Sequence, residues 1–272
     1  MAVHLTASEL IEGVEVTLDD IKFDYRTEIR RFGQVEASEL RRSGKPFPLA
    51  KHVEGLVMAQ LSSQRPWKPI ADNRDRLKAV FHEFGPDDLE QADPQNLLDQ
   101  VLALKCGNRA IRLQLFSLGA NIRTLRLIDL DSGGLDRFVE SDSPEEVARK
   151  LSRPGSTKLR HVGFVLALEY LRNVGIRVCK PDVHLCRLAG PERLGLVSTA
   201  TAEELPAAVS AKLTELAEEA GCNATRLDNL LWLFCACGYG AICNANPKCG
   251  VCRLRLKCRE GRNREGLSAP EC

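Results

Sequence analysis

The sequence contains no apolar run approaching the ~20 residues that a membrane-spanning helix needs, and its start lacks the pattern of a secretory signal peptide. Aromatic residues are scarce at 5%, and 38 basic residues against 37 acidic residues leave a formal net charge of +1. A charge so close to zero does not by itself indicate a nucleic-acid or membrane partner. These features exclude an integral membrane protein. We expect an intracellular chain, either cytoplasmic (nucleoid-associated) or nuclear.

Cysteine, by contrast, is abundant, with 11 residues in a chain of 272. In the absence of an export signal, so many thiols indicate a reducing compartment, where cysteines bind metals more often than they form disulfides. The hydrophobic content of 44% and the charged content of 28% are ordinary for a globular protein. The length suffices for one large domain or for two small lobes with buried cores.

Four of the cysteines, Cys243, Cys249, Cys252 and Cys258, fall within sixteen residues with the spacing Cys-x5-Cys-x2-Cys-x5-Cys. Thiolates so close together repel one another and oxidise unless a metal centre or a disulfide takes them up. Two cysteines separated by two residues present both sulfurs from one tight turn, which suits iron or zinc. By count, the set fits a [4Fe–4S] cluster and a structural zinc ion equally. A disulfide pair or unrelated buried thiols are the alternative.

Basic residues are concentrated within and after this cysteine segment. Between residues 253 and 264 one acid, Glu260, stands among six cations, which are Arg253, Arg255, Lys257, Arg259, Arg262 and Arg264. A local cluster of this kind is typical of a nucleic-acid contact. Arg253 and Arg255 are therefore candidate DNA-binding residues, with a solvated tail as the alternative.

Apolar residues recur at helical spacing along most of the chain. Thr6-Ala7-Ser8-Glu9 has the form of a capping box, and residues 18–32 and 52–63 repeat apolar side chains every three to four positions. Only the short stretch from Leu125 to Leu130 alternates as a strand would. The pattern predicts an all-α fold with short connections.

Three further motifs precede the four cysteines in the chain. They are Leu61-Ser62-Ser63-Gln64, the turn Leu159-Arg160-His161-Val162-Gly163 between two helical stretches, and Asp182 with His184 at the start of another helix. In this order the motifs resemble the helix-hairpin-helix DNA glycosylases, and specifically their iron–sulfur branch, which is typified by endonuclease III. The resemblance extends over roughly residues 56–258.

The resemblance implies two helical lobes with a DNA cleft between them. Residues 1–45 would be N-terminal helices that belong to the cluster lobe, and residues 46–173 would form a six-helix barrel lobe that ends in the helix-hairpin-helix. Residues 174–272 would carry the catalytic aspartate segment and the loop that holds a structural [4Fe–4S] cluster on the four cysteines. Zinc is the less favoured occupant.

The chemistry of these motif residues fits a glycosylase. A glycine hairpin exposes backbone amides at a helix start, where they can hold a phosphate without reading the base sequence. Cleavage of an N-glycosidic bond builds positive charge on the sugar, and the carboxylate of Asp182 can stabilise that charge and orient a water. A helix N-cap is the plain alternative for Asp182. His184 is expected to be a structural hydrogen-bonding residue.

The resemblance also implies roles at the DNA interface. Gln64 and Arg65 would fill the gap that an extruded nucleotide leaves in the duplex. The hairpin residues Arg160, His161 and Gly163 would contact the DNA backbone.

The walls of the base pocket are only weakly indicated. Trp67, Lys68 and Tyr170 are candidates, although each also fits a core or surface position. No motif specifies which base would be excised.

Three departures from the family pattern matter. Bifunctional members carry a Schiff-base lysine two residues after the second hairpin glycine, where this chain has Val165, so we expect a monofunctional glycosylase that leaves an abasic site. A lyase that uses Lys158 or Lys180 is the alternative. Arg160 and His161 replace the family's Pro-Gly, and a positive φ is costly for histidine.

The third departure concerns the cysteines. The family's first cysteine gap is six residues, and here it is five, so Cys235 or Cys237 could replace Cys243 as the first ligand. The expected partner is double-stranded DNA with an extruded nucleotide, bound by a monomer. A non-catalytic iron–sulfur DNA-binding protein of the same fold and a zinc-stapled helical adaptor are the competing hypotheses.

Overall fold

A computed structural model of the chain describes residues 5–63, 65–197 and 201–266. Within these ranges every regular element is a helix, which confirms the all-α prediction. None of the helices there is both long and apolar enough to cross a membrane.

The stretch from Leu125 to Leu130, which alternates in the sequence, lies inside the helix Leu118–Ser132. Leu125 and Ile128 are buried, whereas Leu127 and Leu130 are exposed. Buried residues three positions apart fit the period of an α-helix. The segment is helical despite its short alternating pattern because one face of this helix packs against the core.

The chain divides into two compact units, Met1–Arg31 with Val178–Cys272, and Phe32–Arg177. The helices that lie in the first unit, numbered in chain order, are α1 (Ala7–Asp20), α2 (Tyr25–Phe32, whose last residue passes the boundary), α14 (Val183–Ala189), α15 (Leu205–Glu219), α16 (Ala224–Cys235) and α17 (Arg259–Arg264), with a 3-10 turn at Cys249–Val251. The helices of the second unit are α3 (Gln34–Arg42), α4 (Leu49–Ser62), α5 (Lys68–Asp72), α6 (Arg74–Val80), α7 (Pro86–Gln91), α8 (Pro94–Ala103), α9 (Ile111–Phe116), α10 (Leu118–Ser132), α11 (Leu135–Val139), α12 (Pro144–Ser152) and α13 (Phe164–Asn173), with a 3-10 turn at His82–Phe84.

In the second unit, α13 packs against α4, α12 and α3. Gly55 allows the close approach of α4, because a Cβ there would lie 2.9 Å from Cγ1 of Val174. Leu56 and Leu168 are fully buried in this packing. Replacing either leucine by alanine would cost about 2–5 kcal/mol of stability.

A buried polar network joins α3 to α13 within the second unit. Gln34 on α3 donates from Nε2 to Oε1 of Glu169 at 2.9 Å and accepts from Arg172 at 2.8 Å. Arg172 also donates to the Glu169 carboxylate at 2.9 Å. Because all three side chains are buried, they satisfy one another only if α3 stays docked on α13.

In the first unit, α16 contacts α1, α14 and α15. Leu230 and Leu231 of α16 and Val14 of α1 are fully buried. An ion pair of 2.6 Å between Arg226 and Glu15 crosses the edge of this packing. The unit therefore brings the N-terminal helix next to the segment that precedes the four cysteines.

Candidate active site and nucleic-acid interface

Asp182 is the N-cap of α14. Its Oδ1 accepts hydrogen bonds from the backbone N–H groups of His184 at 2.8 Å and Leu185 at 3.1 Å. No described residue donates a hydrogen bond to its Oδ2, and the side chain is half-buried. One oxygen thus fixes the orientation of the carboxylate and leaves the other available, so the capping role and a chemical role are compatible.

Two buried side chains hold the segment that leads to Asp182. The carboxylate of Asp228 on α16 accepts a hydrogen bond from the backbone N–H of Lys180. The hydroxyl of Ser210 on α15 donates a hydrogen bond to the Cys179 carbonyl at 2.8 Å. Asp228 is 1% exposed and Ser210 is fully buried. The sequence analysis missed both residues, although a carboxylate on an otherwise apolar helix is a recognisable signal.

His184 lies beside the aspartate with its ring edge on Trp232, at a centroid distance of 6.1 Å. Burial lowers the pKa of His184, which favours the neutral imidazole. Its buried Nδ1 has no hydrogen-bond partner among the described residues, and the hydrogen-bonding role expected for His184 stays a prediction. Trp232 in turn packs edge to face on Tyr239 at 5.0 Å.

The predicted hairpin lies between α12 and α13 in the second unit. Leu159 and Val162 are buried, and the Leu159 N–H donates to the Leu151 carbonyl at 3.0 Å. Arg160, His161 and Gly163 are all exposed. The two apolar residues therefore fix the turn to the core of the second unit, and the three candidate DNA-contact residues remain on the surface.

Asn121 of α10 holds the backbone of this turn. Its Oδ1 accepts from the Arg160 N–H at 2.6 Å, and its Nδ2 donates to the Arg160 carbonyl at 3.1 Å. Asn121 is fully buried, on the same face of α10 as Leu118, Ile122 and Leu125. Sequence reasoning missed it, although a polar residue at a core-facing helical position was a usable signal.

His161 adopts a left-handed backbone with φ of 55°. The turn therefore keeps a positive φ at the position where the resembled family has a glycine, even though histidine is less suited to it. Gly163 caps α13 without any side-chain hydrogen bond, and a Cβ there would meet nothing within 4 Å. No side chain of the described residues therefore caps the first amides of α13.

Lys158 sits inside the turn. Its Nζ donates to the Val162 carbonyl at 2.5 Å, and burial lowers the pKa of its amine. Val165, in the first turn of α13, is half-buried. The lysine is thus occupied in supporting the hairpin backbone.

The residues around the predicted DNA-probing loop are only partly described, because Gln64 lies outside the described residues. Arg65 is half-buried and donates from Nη1 to the Gly107 carbonyl. Asn108 donates to the Gln60 carbonyl at 2.7 Å, so two loops of the second unit are joined at this point.

The three weakly indicated pocket residues lie in different surroundings. Trp67 is half-buried and packs edge to face on Phe32 at 6.0 Å, and Lys68 is exposed in an ion pair of 2.7 Å with Asp72. Tyr170 is fully buried, and its hydroxyl lies 2.6 Å from Nδ1 of His52. Tyr170 is therefore a core residue in this structure, which is the alternative that its sequence position also allowed, and burial raises the pKa of its hydroxyl.

The four predicted metal-ligand cysteines line one cavity. Its free space is about 250 Å³ including its opening to solvent, and its walls are formed by Arg193, Ile242, Cys243, Pro247, Cys249, Cys252, Arg255 and Cys258. Burial raises the pKa of Cys252 to about 12, so a cation is needed to keep such a thiol ionised. Arg193 is itself buried; its Nη1 lies 3.2 Å from Glu260, and its Nε has no hydrogen-bond partner in the described part of the chain.

The two alternative first ligands lie elsewhere. Cys235 is fully buried behind Cys243, does not line the cavity, and shares a hydrogen bond with the Cys243 sulfur. Cys237 is exposed. Among the described residues no group of three or more His, Cys, Asp or Glu side chains is arranged to hold a metal ion.

The basic segment from residue 253 to residue 264 is extensively paired with acids of the same unit. Arg253 lies 2.6 Å from Asp20, and Arg255 lies 3.2 Å from Glu265. The other ion pairs are Lys257–Glu9, Arg259–Glu192 and Arg264–Glu260. Counting cations along the sequence overstated the local positive charge, because Glu9, Asp20 and Glu192 come from distant segments.

The fold is similar to those of two solved structures. The crystal structure of Methanocaldococcus jannaschii 8-oxoguanine glycosylase/lyase with 15mer DNA containing 8-oxoguanine matches with a TM-score of 0.56 and 18% identity, over 84% of this chain and 97% of that chain. The 8-oxoguanine DNA glycosylase of Thermotoga maritima matches with a TM-score of 0.52 and 19% identity, over 85% and 98% respectively. No protein-family model and no curated protein matches the sequence. At these identities the similarity establishes the fold.

Proposed function

We propose that this chain is a DNA glycosylase that hydrolyses the N-glycosidic bond of a damaged, mismatched or modified base extruded from duplex DNA. The observation that carries the proposal is Asp182, whose carboxylate is fixed through one oxygen by two backbone amides, while its other oxygen has no donor among the described residues. The fold that the chain shares with two 8-oxoguanine glycosylases supports the same conclusion. That base is the first substrate to test.

In the proposed reaction, the nucleotide leaves the base stack so that its anomeric carbon can approach Asp182. The free Oδ2 stabilises the positive charge that develops on the sugar as the base departs, and it orients the attacking water. The exposed amides before α13, together with Arg160 and His161, would hold a backbone phosphate. Gln64 and Arg65 are the proposed residues that fill the gap in the duplex.

The proposal is for a monofunctional enzyme that leaves an abasic site. Val165 has no amine, and the Lys158 amine is engaged by the Val162 carbonyl. The M. jannaschii protein is a glycosylase/lyase by name, so a lyase that uses Lys158 or Lys180 is the competing outcome. Borohydride trapping decides between them: a covalent protein–DNA adduct requires a Schiff base and would establish a lyase.

The cavity lined by Cys243, Cys249, Cys252 and Cys258 supports a [4Fe–4S] cluster as the bound group. Four thiols and no other ligand side chain line the space, and a closed four-cysteine set is typical of such clusters. The cluster would supply structural rigidity to the segment that bears Arg253 and Arg255. Broad visible absorption with iron in the purified protein would support it, and a colourless zinc protein would contradict it.

The experiment that tests the glycosylase uses duplexes that carry one lesion each, followed by alkali to cleave abasic sites. Asparagine caps helices as well as aspartate does, so Asp182→Asn should remove base release while leaving folding and DNA binding in place. Asp93, the N-cap of α8, offers a matched control, and Asp93→Asn should keep full activity. Unchanged turnover in Asp182→Asn would refute the assignment of Asp182 as the catalytic residue. Tight duplex binding by the wild type without any base release would favour the non-catalytic DNA-binding protein.

A further inference from the structure

Gln60, in the last turn of α4, is 1% exposed, and neither its Oε1 nor its Nε2 has a hydrogen-bond partner among the residues that the structure describes. Two more buried polar atoms without partners follow within the next seven residues, Nε of Arg65 and Nε1 of Trp67. Buried polar atoms are nearly always paired, because leaving them unpaired costs stability. Three residues with such atoms in one short segment therefore suggest that a bound ligand supplies the missing hydrogen bonds.

Gln114 provides a contrast within the same unit. It is also 1% exposed, but its Oε1 accepts a hydrogen bond from Asn108 at 3.2 Å. A leucine or methionine at position 60 would fill similar space without unpaired polar atoms. The folded chain alone thus gives no reason for an amide at Gln60.

The position of Gln60 suggests what its amide meets. The Gln60 carbonyl accepts from the Asn108 side chain at 2.7 Å and from the Ser63 N–H at 3.2 Å. Arg65 is tied to the neighbouring Gly107 carbonyl. The backbone at Gln60 therefore lies where the end of α4 meets the loop around Gly107, and Gln60 precedes the proposed gap-filling Gln64 by four positions in the chain.

We propose that Gln60, assisted by Trp67, reads the hydrogen-bonding edge of the extruded base; this inference rests on the proposed function. A carboxamide presents a donor and an acceptor side by side, which complements the adjacent acceptor and donor on the Watson–Crick edge of a base. The Trp67 N–H group adds a donor for a further acceptor on the base. Gln60 is accordingly a specificity-determining residue, and bases whose edge lacks the donor–acceptor pair are rejected.

The test measures recognition of an unstacked base independently of catalysis. Proteins carrying Asp182→Asn are titrated with two duplexes, one with a single bulged adenine and one with an abasic analogue at the same site. The wild-type residue at position 60 should favour the adenine bulge, and Gln60→Met should reduce that preference by about tenfold while leaving binding to the abasic duplex unchanged. Gln60→Glu, which keeps acceptors and loses the donor, should lower the preference as well.

Thermal unfolding gives a second, independent readout. Gln60→Met removes unpaired buried polar atoms and should raise the Tm, whereas the control Gln114→Met breaks a satisfied hydrogen bond and should lower the Tm without changing the preference for the adenine bulge. An unaltered preference in Gln60→Met, or no preference in the protein with Gln60, would overturn the inference. Base release is measured separately, with the enzyme in which Asp182 is intact. The glycosylase proposal can therefore fail while base recognition by Gln60 is confirmed, and base recognition can fail while the glycosylase is confirmed.

Discussion

The Asn121 side chain forms hydrogen bonds with both backbone polar groups of Arg160. Its Oδ1 accepts from the Arg160 N–H at 2.6 Å, and its Nδ2 donates to the Arg160 carbonyl at 3.1 Å. The two residues are 39 positions apart, and the asparagine is fully buried whereas the arginine is exposed. A core residue of α10 thus sets the position of the hairpin on the surface. The left-handed backbone of the adjacent His161 is held in place by the same pair of bonds, since a non-glycine residue needs such support to keep that conformation.

Asn121→Ala should therefore weaken DNA binding as well as folding. Two buried hydrogen bonds to the Arg160 backbone are lost, so we expect the free energy of unfolding to fall by about 1–3 kcal/mol and the affinity for duplex DNA to decrease. Asn173→Ala is the control, because Asn173 bonds to Gly55 and Gln34 in the same unit and makes no contact with the hairpin. Urea unfolding and fluorescence anisotropy measure the two effects. Equal losses of affinity in both variants would contradict a specific role for Asn121.

Cys243 rather than Cys235 should be the first ligand of the bound cluster. Cys243 lines the cavity with Cys249, Cys252 and Cys258, whereas Cys235 lies behind it. We expect Cys243→Ser to lose most of its iron and its visible absorption, and Cys235→Ser to retain both. Iron content per chain and the absorption spectrum are the measurements. Retention of the full cluster in Cys243→Ser would return Cys235 to the ligand set.

The Arg253–Asp20 ion pair should limit phosphate contacts by the basic segment. Both side chains are about half exposed, at 55% and 41%, so their pairing is weak and can be exchanged for a phosphate. Arg253→Ala should reduce the slope of log Kd against log salt by about 0.9, and Asp20→Asn should tighten DNA binding by freeing Arg253. Arg26→Ala is the control, since Arg26 pairs with Asp19 outside the basic segment. An unchanged slope in Arg253→Ala would remove that residue from the DNA interface.

His52 should make the second unit less stable as the pH falls. The residue is fully buried, with Nδ1 2.6 Å from the Tyr170 hydroxyl and Nε2 3.2 Å from the Asp136 carboxylate. Burial lowers the pKa of His52 despite the opposing influence of Asp136, while the nearby Arg41 adds to the lowering. The unfolded chain therefore takes up the proton first. The stability contribution is complete above the unfolded pKa of about 6.5 and is lost progressively below it.

The measurement is the midpoint of urea unfolding between pH 7.5 and pH 5. His52→Gln should flatten the dependence below pH 6.5, whereas His82→Gln, at an exposed position, should follow the wild type. A wild-type midpoint that does not move over this range would refute the prediction.

The helices and the chemistry-bearing segments of this protein are determined by the sequence itself. Apolar residues at a spacing of three to four predict the helices, and the interactions that form a helix lie within one turn of one another. The same local character made the Asp182 N-cap and the four-cysteine spacing recognisable, because an N-cap bonds to amides two or three residues away. The turn before Gly163 was recognisable for the same reason.

Only the tertiary structure decided which of these residues are free to act. Asp20 pairs with Arg253 across 233 positions, and Asn121 hydrogen-bonds to Arg160 across 39. No periodic pattern in the sequence indicates either contact. Tyr170 follows an amphipathic pattern that fits a pocket wall or a core, and packing placed it in the core. Whether a buried amide such as Gln60 has a partner depends on the side chains that several distant segments bring around it, and a one-dimensional pattern holds no record of those neighbours.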